Sequence, residues 1–319
     1  MTTLSRRTAL RALLAATSLS LLAACSDDTP TSVGTPARFT ATVVFGASLD
    51  DTGNACNLSP ATCPPAPYFS GRVSNGPLWV ELVATKYGTT VTPSRTGGTN
   101  YSFNGARPGP IAGTTQGVPS MTQQVESYLA APNTGARATT LFVLNVATVG
   151  NDINDALTQS VTNPAAPATI IGGAVLNTIN MMNRLYANGA QNILLVNSVN
   201  IGQTPLVRAQ GAAASAGATQ LSTQFNAGLT AQLPALRASL PFLKLYVLDA
   251  GALHAAVIAN PSSFSFTNVT LPCLSSAPAA ICTTPDSFFF WDGFHPTAAA
   301  GRLVSQRAID ALDAVIAPR

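Results

Sequence analysis

Charge is scarce in this chain, and histidine is scarcer. Only 9% of the 319 residues are Asp, Glu, Lys or Arg, and the net charge is +3. No basic cluster of the kind that tracks a phosphate backbone appears, which argues against nucleic acid as a partner. The two histidines, His254 and His295, leave very few candidates for any histidine-dependent chemistry. Cysteine is limited to five residues, Cys25, Cys56, Cys63, Cys273 and Cys282. The last four lack the two-to-four-residue spacing of zinc knuckles, and no histidine lies beside either pair in sequence, so a metal site is not expected. An even count in an oxidising compartment points to disulfides. Four cysteines allow three pairings, and the short separations favour Cys56–Cys63 and Cys273–Cys282. No internal repeat, heptad array or second-domain boundary is visible.

A long uninterrupted apolar run is also missing. The N-terminal stretch "MTTLSRRTALRALLAATSLSLLAAC" starts basic, with Arg6, Arg7 and Arg11, and its apolar part is broken by Thr17, Ser18 and Ser20. That is too short and too interrupted for a permanent span, and has the layout of a bacterial signal peptide over residues 1–25. Leu22-Ala23-Ala24-Cys25 resembles a lipoprotein signal box, in which the cysteine is lipidated and becomes the new N-terminus. Ser5-Arg6-Arg7 resembles a twin-arginine export signal. Ordinary Sec cleavage with an incidental cysteine is the alternative. Residues 26–38, "SDDTPTSVGTPAR", read as a polar tether. The expectation is an exported bacterial protein, either anchored through Cys25 as an outer-membrane or periplasmic lipoprotein or secreted, with a folded domain over 39–319.

What is present is a βα rhythm. "ATVVFG" (41–46), "LFVLNVA" (141–147), "NILLVNS" (192–198) and "KLYVLDA" (244–250) are short, apolar and rich in β-branched or aromatic residues, as buried parallel strands require. Helical patterns separate them: 76–88 with Pro77 near its start and Gly88 at its end, 169–190 closing on Asn188-Gly189, 220–240 and 297–317. The pattern predicts an α/β fold with a parallel sheet covered by helices on both faces.

In such a sheet, ligands sit beyond the carboxyl ends of the strands. Four polar turns fall on that edge. "VVFGASLDDTGN" places Ser48 just after the first strand. "NYSFNGARPG" (100–109) has a glycine in a polar turn after a short possible strand. "NVATVGNDIND" carries Asn151 and Asp152. "FFFWDGFHPTAAAGRL" holds Asp292 and His295 three apart, with Pro296 suited to the first turn of the last helix. A carboxylate that close can accept the Nδ1 hydrogen bond of His295 and leave Nε2 to take a proton from Ser48.

Five ordered segments resemble the SGNH or GDSL hydrolases, in their lipase-like branch. "FGASLDDTGN" is similar to that family's first block, usually FGDSLSDTGN. "GRVSNGPLWVELVA", "NYSFNGAR", "VGNDIND" and "FFWDGFHPT" follow in order, and "ANPSSFSFTNVTLPC" is similar to a segment that precedes the last block. The resemblance covers nearly all of residues 41–316. It implies a three-layer α/β/α, flavodoxin-like fold, serine ester hydrolysis and no metal or organic cofactor. Position by position, it implies Ser48 as nucleophile, His295 as general base and then acid, and Asp292 as its orienter. The oxyanion hole would comprise the backbone N–H of Ser48, the backbone N–H of Gly105 and the side-chain amide of Asn151. Ala47 stands where the family usually has Asp, and Val149 replaces the glycine two before Asn151, with Gly150 next to it; the expected effects are altered local hydrogen bonding and a different turn at Asn151.

Other residues carry blander expectations. Asp152 and Asp155 read as turn and helix-capping residues, and His254 as structural within an apolar helical pattern. Asp249 is the reserve partner for His295. Asp292 as a simple cap of the last helix is the alternative to its orienting role. Trp79 and Trp291 read as packing, and Tyr68 and Phe69 as either groove lining or core cover. The functional expectation is a serine esterase or lipase acting on an ester or lipid. An acyltransferase or phospholipase of the same family, or a non-catalytic surface binding protein, are the alternatives.

Overall fold

The β-branched, apolar run Ala41–Phe45 forms strand β1, buried along nearly its whole length. It lies in a computed structural model that describes residues 38–110, 117–132, 135–276 and 279–314. The proposed signal peptide, Cys25 and all of the tether except Arg38 fall outside these residues. Between β1 and strand β2 (Thr140–Asn145) come helices α1 (Asn54–Leu58), α2 (Trp79–Lys86) and α3 (Met121–Ala130). Helices α4 (Val149–Ser160) and α5 (Ala166–Ala187) lead to β3 (Asn192–Val196). Helices α6 (Pro205–Ala209) and α7 (Ala212–Ser239) then lead to β4 (Lys244–Leu248). Beyond β4 lie α8 (Ala250–Ala259), β5 (Asn268–Pro272), the antiparallel pair β6 (Leu274–Ser276) and β7 (Ala279–Ile281), β8 (Phe288–Phe290) and α9 (Ala298–Ala314).

The central sheet is parallel, in the order β1-β2-β3-β4. Alternating side chains of its strands feed two separate cores. Val43, Phe45, Phe142, Leu144, Ile193 and Leu195 pack against α3, α4, α5 and α7. Val44, Leu141, Val143, Leu194 and Val196 face the other way, against α2 and α9. Helices therefore cover both faces, giving the expected three-layer α/β/α arrangement. Period-two alternation with both faces apolar is the reason the strands read as continuous hydrophobic runs.

On the outer side of β1 the chain near Asn100 adds a minimal fifth rung. Val44 N donates to Thr99 O at 3.1 Å and Tyr101 N donates to Val44 O at 2.8 Å. Successive segments thus flank β1 on opposite sides, first the 99–101 edge and then β2. That reversal makes the carboxyl end of β1 a topological switch point, where a crevice opens.

Helix α7 starts at Ala212, eight residues before the apolar periodicity predicts. The preceding "AAASAGAT" has no apolar stripe, but its alanines have the highest helix propensity. Both disulfides, Cys56–Cys63 and Cys273–Cys282, are formed.

Candidate active site

The turn after β1 is held from several sides. Gly46 ends the strand, and a Cβ there would collide with the Asp50 carboxylate. Gln124 of α3 clamps this glycine: Gly46 N donates to Gln124 Oε1 at 3.0 Å, and Gln124 Nε2 donates to Gly46 O at 2.9 Å. Asp50 N donates to Ala47 O at 3.0 Å, closing a tight turn with Ser48 inside it. Asp51 then accepts from the backbone N–H groups of Gly53, Asn54, Ala55 and Asn104. The last of these ties the Ser48 turn to the loop that carries Gly105. Burial raises the Asp51 carboxyl above its usual range, against the pull of those four donors.

Asp292 and His295 sit on one short turn between β8 and α9. Asp292 Oδ1 accepts from the N–H of Phe294 and of His295, both at 2.7 Å, so the turn is built around its own carboxylate. Asp292 Oδ2 meets His295 Nδ1 at 2.8 Å, and His295 Nε2 meets Ser48 Oγ at 3.0 Å. Burial alone would raise the Asp292 carboxyl, but the hydrogen bonds and charge of His295 and the two backbone donors hold it at about 2. It is therefore ionised across the ordinary working range. Tyr68 O–H donates to the same Oδ2 at 2.8 Å. Burial and the Asp292 charge push this phenol well above its usual range, so it stays a donor.

Gly105 has φ +83°, a left-handed conformation that favours glycine, and open space where a Cβ would be. Among the described residues no protein acceptor takes the N–H of Ser48 or of Gly105. Asn151, in the first turn of α4, gives one amide hydrogen to Ala106 O at 2.8 Å and has a second to offer. Gly105, Tyr68, Asp292 and His295 line a groove of about 1530 Å³, together with Leu58 inside the first disulfide loop, Pro65 just beyond it, and Tyr101.

The two departures from the family blocks have local explanations. Val149 is fully buried in the core under β1 and β2, away from the groove. Gly150 takes over the close approach, because a Cβ there would lie 2.8 Å from the ring of Phe294, the neighbour of His295. Ala47 packs against Phe103 and Ala106.

Some of the other expectations need correction and some hold. Asp152 and Asp155 cap nothing: both lie inside α4, Asp155 paired with Arg107 and Asp152 buried with Oδ2 lacking a partner among the described residues. Burial raises the Asp152 carboxyl well above its usual range. Asp249 does not approach His295; its Oδ1 accepts from Ala252 N at 2.9 Å and caps α8. Asp292 is no helix cap, since α9 begins only at Ala298, and Pro296 precedes that helix in a bridge with Phe290. Trp79 does more than pack: its Nε1 donates to Asp50 Oδ1 at 2.8 Å. Trp291 is packing, at 2% exposure. Phe69 is exposed, whereas Tyr68 reaches Asp292. His254 is buried in α8, stacked on Phe289. Sequence reading missed Gln124, Asp50 and Asn145, and it named Tyr68 as a possible groove residue without its contact to Asp292.

Residues 42–308 match the family model for GDSL-like lipase/acylhydrolase. A GDSL esterase/lipase of Arabidopsis thaliana is 25% identical, covering 86% of this chain and 86% of its own length. A phosphatidylcholine-sterol acyltransferase of Aeromonas hydrophila is 28% identical over 74% of this chain and 65% of its own length. A thermolabile hemolysin of Vibrio parahaemolyticus is 25% identical over 86% of this chain and 64% of its own length. Among solved structures, a lipase from a goat rumen metagenome aligns with TM-score 0.47 and 12% identity, over 85% of this chain and 96% of that one. The chain belongs to the GDSL-like lipase/acylhydrolase family and is a hydrolase acting on esters.

Proposed function

We propose that the protein is a serine carboxylesterase or lipase that works through an acyl-enzyme on Ser48. The observation that carries this reading is the continuous chain of contacts from Asp292 Oδ2 to His295 Nδ1 at 2.8 Å and from His295 Nε2 to Ser48 Oγ at 3.0 Å. Ser48 Oγ attacks the ester carbonyl while His295 Nε2 takes its proton. Asp292 fixes the ring orientation and stabilises the imidazolium. The carbonyl electrons move to an oxyanion that accepts from the N–H of Ser48, the N–H of Gly105 and the Asn151 amide. Loss of one such donor typically costs about 10²–10³ in kcat. Collapse of the intermediate expels the alcohol, which receives the proton from His295. Water, deprotonated by His295, then releases the acid and regenerates Ser48.

The wide groove with its apolar loop walls suits a lipidic acyl chain. Acyl transfer is the second reading, favoured by similarity to a protein named for sterol acylation. In that case an alcohol replaces water in the second half. We further propose export as a lipoprotein anchored at Cys25, on the strength of the leader sequence.

A fluorophosphonate probe tests the mechanism. Wild type should label at Ser48, and Ser48→Ala should lose both labelling and p-nitrophenyl ester hydrolysis with an unchanged circular dichroism spectrum. Labelling of Ser48→Ala at the wild-type rate would remove Ser48 from the chemistry. Product analysis with and without an acceptor alcohol separates hydrolysis from transfer.

A further inference from the structure

In the family's usual first block an aspartate precedes the serine and a serine stands two positions after it. This chain reverses that polarity, with Ala47 before Ser48 and Asp50 after it. Asp50 is fully buried, and its side chain turns back beneath the end of β1 against Gly46. Its carboxylate accepts from Trp79 Nε1 at 2.8 Å and from Asn145 Nδ2 at 3.0 Å on both oxygens. Asn145 is the last residue of β2, and its own Oδ1 accepts from Ala147 N at 3.2 Å, in the turn that enters α4. Asp50 O accepts from Asn100 Nδ2 at 2.6 Å, on the edge segment that leads to Gly105.

We propose that Asp50 is the positioning residue of this site: through Asn145 and Trp79 it locks the Ser48 turn to the strand end that leads to Asn151, and so holds Ser48 in register with His295 and the oxyanion donors. The proposal rests on Ser48 as nucleophile. Its physical basis is the donor–acceptor count. Both partners present only N–H groups to Asp50, so the carboxylate supplies every acceptor. Burying an acid here has a cost: desolvation pushes its carboxyl up to about 7, against the opposing pull of Asn145, Trp79 and the Ala47 backbone, with Asp51 adding repulsion. Asp50 closes the four-residue turn Ala47–Asp50, and its two oxygens take N–H groups from Trp79 and Asn145 that no apolar side chain could accept. Small misplacements of a reacting group are expensive, about 10²-fold for 1 Å.

The test exchanges the pair. Asp50→Asn puts an amide NH₂ against the NH₂ of Asn145. It should lower kcat and the fluorophosphonate labelling rate by about 10²-fold, with KM changed less than about threefold. Adding Asn145→Asp restores complementarity in the reverse sense: the new amide donates to the new carboxylate and still accepts from Trp79. The double variant should recover labelling to within about tenfold of wild type. Trp79→Phe removes one donor and should give an intermediate loss, which keeps the test open if Asp50→Asn does not fold. Wild-type labelling rates in both Asp50→Asn and Trp79→Phe overturn the proposal. So does a loss that follows the fall in melting temperature and does not recover in the exchange. Absence of labelling in wild type would instead overturn Ser48 as nucleophile.

Discussion

Tyr68 and His295 compete for one oxygen. Both reach Asp292 Oδ2 at 2.8 Å, so the phenol draws charge that would otherwise stabilise the imidazolium. Removing the hydroxyl should concentrate that charge on the histidine. We expect Tyr68→Phe to move the acidic limb of the kcat/KM profile to higher pH, with kcat changed by a factor of about 3–10. Asp292→Asn should move the limb the other way and reduce kcat by about 10³–10⁴, through loss of the favoured tautomer. Asp292 itself is held at about 2 and so is ionised across the ordinary working range. Profiles for Tyr68→Phe and Asp292→Asn that coincide with wild type would separate this carboxylate from the chemistry. Neither Tyr68 nor Gln124 was legible in sequence for this purpose. Tyr68 lies 224 residues from Asp292, and Gln124 lies 78 from Gly46. Such contacts are made by tertiary packing and have no local spacing to betray them. Asp292 and His295 were legible because a three-residue separation is itself the geometry.

At the scale of elements, the four strands were legible because both faces are buried and each run is continuously apolar. The edge at Asn100 was visible only as a short possible strand, since one rung needs no pattern. Asp152 and Asp155 were misread because a polar turn and the first two turns of a polar-faced helix look alike in sequence. Helix α8 carries a separate prediction. His254 is 2% exposed, and neither ring nitrogen has a partner among the described residues. Burial lowers its pKa to about 4 from 6.5. A histidine with a depressed folded pKa favours the folded state above its unfolded pKa, and that contribution is lost as pH falls toward the folded value. Between pH 6.5 and 4 the unfolded chain binds a proton that the folded chain refuses. His254→Leu should remove this dependence and raise stability relative to wild type by up to about 3 kcal/mol near pH 4. Urea titrations of both proteins at pH 7.5 and pH 4.5 measure it. An equal difference at the two pH values would show that the ring titrates normally.

For the whole molecule, the prediction concerns the N-terminal residues, for which we have proposed an export address. On that proposal the mature chain should begin at Cys25 and bear a lipid there. Mass spectrometry of the membrane fraction reads this directly, and a soluble mature form that starts beyond Cys25 would exclude the anchor.

The turn of Asp292 and His295 closes on itself, through two backbone N–H groups that point at the carboxylate of the same turn. Ser48 arrives from 247 residues away. On the proposed mechanism, acid and base belong to one local turn, whereas the serine is brought to them only by the packing of β1 against the rest of the domain. On that mechanism, turnover would report the proximity of β1 and the turn before α9. Under slow denaturation, turnover should then disappear at the first loosening between β1 and α9, well before helix content falls.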